Sequence, residues 1–205
     1  TIALSSGATG SISGTMSFSG ATPPNGTPHR LFAVDPSGIT FQNGSVFTVN
    51  SGVSGNAFGN ANLNSIIFGN GSTYVGTGGA NPFGAAAPNS VVVFQTGSLY
   101  KFQSSVSPSF NGRTYANFEL NTGFVFPTSD VSFVGALSMD NVTITNGTLP
   151  INFGGGFNHV INGNLVVNGG TLSIGSGSTG AENLSIKGNV TVNGGTLNFC
   201  PYAAG

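Results

Sequence analysis

Apolar and polar residues alternate along this chain in short bursts, and the bursts recur. Residues 163–174 read GNLVVNGGTLSI and residues 188–199 read GNVTVNGGTLNF, a near copy 25 positions on, while residues 140–149, DNVTITNGTL, are a looser third copy. Self-similarity at a fixed period of roughly 20–50 residues marks repeat architectures. Anchored on the glycine at the centre of the copy, the pattern extends upstream through Gly44, Gly71, Gly97, Gly123, Gly147, Gly170 and Gly195, with spacings of 27, 26, 26, 24, 23 and 25.

Five residues before each anchor stand Ile39, Ile66, Val92, Phe118, Val142, Leu165 and Val190; three before stand Phe41, Phe68, Phe94, Leu120, Ile144, Val167 and Val192. All are apolar. Positions two apart share one face of a strand, so both columns are expected to point inward and form the structural core. The residues between them, Thr40, Ile67, Val93, Glu119, Thr143, Val166 and Thr191, are expected to point outward. Two residues past the anchor, Val46, Thr73, Leu99, Val125, Leu149, Leu172 and Leu197 are read as inward again.

Between the two strands lies a corner such as Gln42-Asn43-Gly44, Gly69-Asn70-Gly71 or Asn193-Gly194-Gly195. Gly and Asn accept positive φ at least cost, as a sharp bend requires. Asn-Gly between apolar runs is also a hairpin signal, and an antiparallel sandwich is the competing fold. A sandwich has no reason to keep one phase through seven units, whereas a stacked solenoid must, because each coil buries its face only against the next. The reading is therefore all-β: a right-handed parallel β-helix of about seven coils of 23–27 residues, forming a rod about 34 Å long at the strand spacing of about 4.8 Å.

Residues 1–37 fit the pattern poorly and read as an atypical first coil, with Ile2 and Leu4 as one more strand and a proline-rich inserted loop from Ser19 to Arg30. The solenoid repeats occupy 38–199, with residues 76–89 as a long corner. Residues 200–205 read as a truncated continuation, since the pattern stops at Phe199 without a polar cap and more chain is expected to follow.

Composition sharpens this picture. Only 4% of residues are charged, the net charge is −1, and Gly supplies 34 of 205 positions, yet 17 Phe argue for a packed core. Disordered chains are poor in such residues. Arg30, Lys101, Arg113 and Lys187 are scattered, leaving no electrostatic footprint for nucleic acid. No apolar run reaches the roughly 18 residues of a membrane span, so direct membrane insertion is not expected. Cys200 is the one cysteine, which excludes an intrachain disulfide.

The blocks GNLVVNGGTLSI, GNVTVNGGTLNF, NPFGAAAPNSVVVFQTGSLYKFQ and RTYANFEL resemble the repetitive β-helix regions of large secreted or cell-surface proteins of Bacteroidota. In those proteins such regions precede a C-terminal sorting domain read by the type IX secretion system, a domain this sequence does not contain. The resemblance covers most of residues 38–199. It implies an extracellular or cell-surface location and secretion-machinery or surface-anchoring proteins as partners, and it implies no activity.

Parallel β-helices also host polysaccharide-active enzymes, whose sites need acids or bases gathered on neighbouring coils. Relative to their anchors Glu119 lies at −4, Asp140 at −7, Asp130 at +7 and Lys101 at +4, so no two acids share a column. His29 and Arg30, with Asp35 nearby, are the one cluster of titratable types, and they read as a loop pair contacting the rod. His159 stands apart. No Cys/His spacing or Asp-rich glycine repeat supplies a metal site, and the glycine clusters lack the lysine of a phosphate loop. No catalytic residue, metal or cofactor is expected. Cys200 reads as a small buried hydrophobe. Ile67, Val93, Glu119 and Val166 interrupt any outward Thr array, which argues against ice binding. A glycan is kept as a candidate partner, for which Tyr74, Tyr100 and Tyr115 would line a shallow groove, but packing in the core or wall is the favoured reading of all three. The expectation is a structural or adhesive segment without catalysis, with a carbohydrate-binding module or a polysaccharide-active enzyme as the alternatives.

Overall fold

Ile39, Thr40 and Phe41 lie opposite Ile66, Ile67 and Phe68, which lie opposite Val92, Val93 and Phe94, and all three strands run parallel. This register comes from a computed structural model that describes residues 1–20, 29–126, 135–153, 156–176 and 183–199. The chain is all-β, with parallel sheets stacked as a β-solenoid of about seven turns. Every strand pairing between described residues within each unit is parallel, so the antiparallel sandwich is excluded there. Two units divide the chain, Thr1–Pro108 and Ser109–Gly205.

In the first unit, β1 (Ile2–Leu4), β2 (Gly10–Ile12) and β3 (Thr15–Phe18) form one level, and β4 (Leu31–Ala33), β5 (Ile39–Phe41) and β6 (Val46–Val49) the next. Above them come β7 (Ile66–Phe68) with β8 (Thr73–Gly76), then β9 (Val92–Phe94) with β10 (Leu99–Phe102). Residues 77–91 contain no strand, in keeping with the long corner read from the sequence. The first level departs from expectation. It holds the strand at Ile2 and Leu4 and two more besides, with Gly10 opposite Ile39 and Ile12 opposite Phe41. Its pattern is masked because Gly10 stands where later levels carry Ile or Val, and because Ser13-Gly14 replaces the four-residue corner of Gln42–Ser45.

The inward columns Ile39, Phe41, Ile66, Phe68, Val92 and Phe94 are buried. Past the corner the phase is one residue later than the sequence pattern suggests: Phe47, Tyr74 and Tyr100 are buried, whereas Val46, Thr73 and Leu99 are half-exposed. The cause is the serine after each anchor. Ser45, Ser72 and Ser98 are themselves buried, with Ser45 and Ser72 hydroxyls donating at 2.7 Å to the carbonyls of Gln42 and Gly69. A tight turn closes over each serine, its N–H donating to the carbonyl three residues back. The serine thus takes one inward place within the bend and moves the next strand by one position. Ile67, in the outward column, is only 7% exposed between Thr40 and Val93.

The core of this unit is aromatic. Phe41 and Phe68 stack at 4.5 Å, and Phe68 and Phe94 at 5.2 Å, each ring on the equivalent ring of the next level. Phe58 packs against Phe41, Phe47, Phe68 and Tyr74. Such ring pairs add about 0.5–1.5 kcal/mol beyond the area they bury.

The second unit contains β11 (Asn117–Val125), β12 (Ser138–Met139), β13 (Asn141–Phe153), β14 (Asn158–Ile161), β15 (Leu165–Val167), β16 (Thr171–Ser176), β17 (Asn183–Ile186), β18 (Val190–Val192) and β19 (Thr196–Phe199). Its walls are β11-β13-β15-β18, β13-β16-β19 and β12-β14-β17. Here threonine follows the anchor, as in Thr148 and Thr171, and Leu149 and Leu172 two residues past it are buried as the pattern requires. Phe118, Leu120, Val142, Ile144, Leu165 and Val167 are buried in the other columns.

Two anchored positions differ. Asn121 lies opposite Asn146 and Val125 opposite Thr148, with register shifts between, so Gly123 is not the counterpart of Gly147; Val125 is 66% exposed. Gly123 is also absent from the glycines with positive φ, whereas Gly44, Gly71, Gly97, Gly147, Gly170 and Gly195 all have φ between 68° and 94°. Val190 and Val192, assigned to the core, are each 49% exposed. They pair with Leu165 and Val167 on one side, and no described strand covers the other.

Candidate functional site

Within the second unit, levels are tied together by side chains as well as by backbone, and asparagines make most of these ties. In the second unit the Asn141 amide donates to Asn117 Oδ1 at 2.8 Å, Asn141 Oδ1 accepts from the N–H of Asn164 at 2.8 Å, and Asn164 Oδ1 accepts from the N–H of Asn189 at 2.8 Å. A second column joins Asn193 to Asn168 at 2.9 Å, and a third joins Asn183 to Asn158 at 3.2 Å. Lys187 Nζ donates to Asn162 Oδ1 at 2.8 Å one level back.

The Gly-Asn steps of the repeat have a steric reason. A Cβ on Gly163 would lie 2.3 Å from Asn141 Oδ1, and one on Gly188 would lie 2.6 Å from Asn164 Oδ1. The glycine makes room for the oxygen that caps the asparagine after it. Sequence reasoning overlooked this ladder, although its signal, Asn at 117, 141, 164 and 189, is in plain view.

The charged residues are separated. Glu119 accepts from Asn121 Nδ2 and Thr145 Oγ1, both at 3.0 Å, and lies opposite Thr143. The N–H of Asp140 donates to the Ala116 carbonyl and its own carbonyl accepts from Gly163, so the acids 119 and 140 occupy different columns. Lys101 is half-exposed in β10. Asp130 and Cys200 lie outside the described residues, as do residues 21–28 of the proline-rich loop. Among the described residues no group of three or more His, Cys, Asp or Glu is placed to hold a metal ion.

His159 and Arg113 are both buried. His159, 1% exposed, accepts the N–H of Leu137 through Nδ1 at 3.0 Å, which places its proton on Nε2, and burial lowers its pKa below the usual imidazole value. Arg113 contacts Ser109 Oγ through Nε at 3.4 Å, and burial lowers its pKa as well. Tyr74, Tyr100 and Tyr115 are 1%, 4% and 1% exposed and belong to the core, in line with the packing role favoured from the sequence over an exposed groove. Burial pushes the Tyr74 phenol well above its ordinary pKa. An exposed groove cannot be built from them.

The titratable cluster near the N-terminus is divided. Asp35 is engaged by the Ser6 hydroxyl at 3.0 Å and the N–H of Gly7 at 2.6 Å. His29 packs beside Phe18 with ring centroids 5.8 Å apart. Arg30 instead lines an outward cleft of about 110 Å³ with Phe32, Phe58, Gly59, Asn60, Ala61 and Asn62. Alternation places Phe32 on the outer face of β4 and Leu31 and Ala33 on the inner face, where both are buried, and Arg30 immediately precedes the strand. The cleft's far wall is fixed by Asn62 Nδ2 donating to the Ala33 carbonyl at 2.8 Å.

No family model matches the chain, and neither the curated proteins nor the solved structures contain a significant match to it.

Proposed function

We propose that this chain is a structural or adhesive segment of a large extracellular protein, working as a rigid spacer and carrying no catalytic step. The observation that supports this most is the use of side chains. Phe41, Phe68 and Phe94 bind level to level in one unit, and Asn117, Asn141, Asn164 and Asn189 do so in the other. A stack cross-tied in this way holds its length and offers few frayed segments to proteases.

The extracellular location and export by the type IX system rest on the resemblance of the repeat blocks to Bacteroidota surface proteins. Secretion-machinery or surface-anchoring proteins are the corresponding partners. An antibody against the chain, applied to intact cells of the producing organism, tests this: surface or culture-medium labelling that vanishes when type IX export is disabled supports the proposal, and signal confined to the cytoplasmic fraction overturns it.

A further inference from the structure

Eight Asn-Gly steps occur in this chain, and seven of them, at Asn43, Asn70, Asn111, Asn146, Asn162, Asn168 and Asn193, lie among the described residues. Each carries its own reactive pair, because the glycine nitrogen can approach the side-chain amide carbon with no Cβ in the way. In six of the seven the fold holds that nitrogen elsewhere. The glycine N–H donates to a carbonyl on a neighbouring level, from Gly163 to Asp140 at 2.6 Å to Gly194 and Val167 at 3.3 Å. Several of the amides are tied as well: Asn162 Oδ1 accepts from Lys187 Nζ, and Asn168 Oδ1 accepts from Asn193 Nδ2.

Asn146 is arranged differently. The N–H of Gly147 donates to Asn146's own Oδ1 at 2.8 Å, which sets Cγ, one bond from that oxygen, beside the nitrogen that can attack it. The Asn146 side chain is exposed, so water and hydroxide reach it. The fold also fixes the glycine that makes the step reactive. Gly147 has a φ of 94°, and a Cβ there would lie 2.3 Å from the Thr122 carbonyl oxygen.

We infer that Asn146 is a site of self-modification, deamidation through a cyclic imide, and the first of these seven steps to convert in the folded chain. The Gly147 nitrogen gives up its proton to hydroxide and bonds to Asn146 Cγ. The bond from Cγ to the side-chain nitrogen then breaks, and that nitrogen takes a proton from water and leaves as ammonia. One water opens the imide: at Cγ it yields aspartate, and at the main-chain carbonyl it yields isoaspartate, with the backbone rerouted through the side chain. The net change is one water consumed and one ammonia released.

The position gives the lesion its consequence. β13 pairs with β15 through Val142–Ile144 and with β16 through Thr148–Phe153, and Asn146-Gly147 is the step between. Isoaspartate adds one methylene to the main chain there, which displaces the buried Leu149 and Ile151 relative to Val142 and Ile144. An aged chain is therefore weakened in its second unit. This inference is independent of the extracellular reading.

The test is incubation of the full chain at mildly alkaline pH, once folded and once in denaturant, with conversion at each Asn-Gly step followed by peptide mapping and mass spectrometry that separates isoaspartate from aspartate. In denaturant the seven steps should convert at similar rates. Folding should slow six of them by about tenfold or more, the rate equivalent of opening one well-made hydrogen bond, and leave Asn146 near its unfolded rate. Conversion at Asn146 should rise in proportion to hydroxide, and Asn146→Gln, whose longer side chain closes the ring poorly, should remove both the early mass gain and the loss of stability on ageing. If Asn146→Gln fails to fold, the comparison on the unaltered chain still decides. Asn25-Gly26 lies outside the described residues and is scored apart. Any of the other six keeping pace with Asn146 in the folded chain, or folding slowing Asn146 as strongly as the rest, would overturn the assignment.

Discussion

Asn164 Oδ1 accepts the backbone N–H of Asn189 from the next level at 2.8 Å, and Gly188 lacks the Cβ that would stand in its way. This relationship repeats one level earlier between Asn141 and Asn164, over Gly163. Replacing Asn141 by Ala removes the acceptor for the N–H of Asn164 and the donor to Asn117 together. A loss of about 1–2 kcal/mol is expected in denaturant unfolding of the chain. Asn141→Asp keeps the acceptor but loses the donor, and its loss should be smaller.

The aromatic ladder should be more sensitive. Phe68 is fully buried between Phe41 and Phe94, so Phe68→Ala empties the centre of a stack and is expected to cost about 3–5 kcal/mol. Phe94→Asp or Leu120→Asp should unravel the chain locally, read as new cleavage sites in limited proteolysis; unchanged resistance would contradict the inward assignment.

Glycine substitutions separate two causes of strain. Gly44 and Gly84 both have positive φ, 79° and 70°, but a Cβ on Gly44 meets nothing within 4 Å while one on Gly84 lies 2.2 Å from the Gly59 carbonyl oxygen. Gly44→Ala should therefore cost only the backbone term of about 1–2 kcal/mol, and Gly84→Ala clearly more, measured as the difference in midpoint of denaturant unfolding.

His159 makes stability depend on pH. Its folded pKa lies below the unfolded value of about 6.5. The unfolded state therefore takes up a proton first as pH falls. The stabilisation is present above about pH 6.5 and is lost as acidification proceeds toward the folded pKa, with a slope of up to about 1.4 kcal/mol per pH unit. His159→Asn, which retains an acceptor near the Nδ1 position for Leu137, should flatten this part of the profile relative to the unaltered chain.

The first column of the stack was legible because apolar residues at 39, 66 and 92, or at 118, 142 and 165, face nothing but their own kind in the levels on either side. The second strand was less so. Val46 and Leu99 look as apolar as Leu149, and only the choice of Ser or Thr after the glycine separates the two phases, since a buried serine takes one inward place that a β-branched threonine does not. Gly123 misled because a bulge between Leu120 and Val125 alters the count without altering the composition. Tyr74 and Tyr100 were legible as packing residues, and their rings continue the Phe ladder. The Arg30 cleft has no periodic signal at all. It arises where a non-repeating segment meets the next level.

Parallel stacking in register is the claim on which the rest depends, and paired cysteines measure it directly. Val46, Thr48, Thr73 and Val75 are half-exposed on the outer faces of β6 and β8, with Val46 opposite Thr73 and Thr48 opposite Val75. With Cys200 replaced by Ser, the double variants V46C/T73C and T48C/V75C should each form a disulfide on mild oxidation, their Cα atoms standing about 4.8 Å apart. V46C/V75C and T48C/T73C should not, being separated by about 8 Å. The reverse result, cross-linking of the second set and not the first, would mean antiparallel strands and would contradict the solenoid.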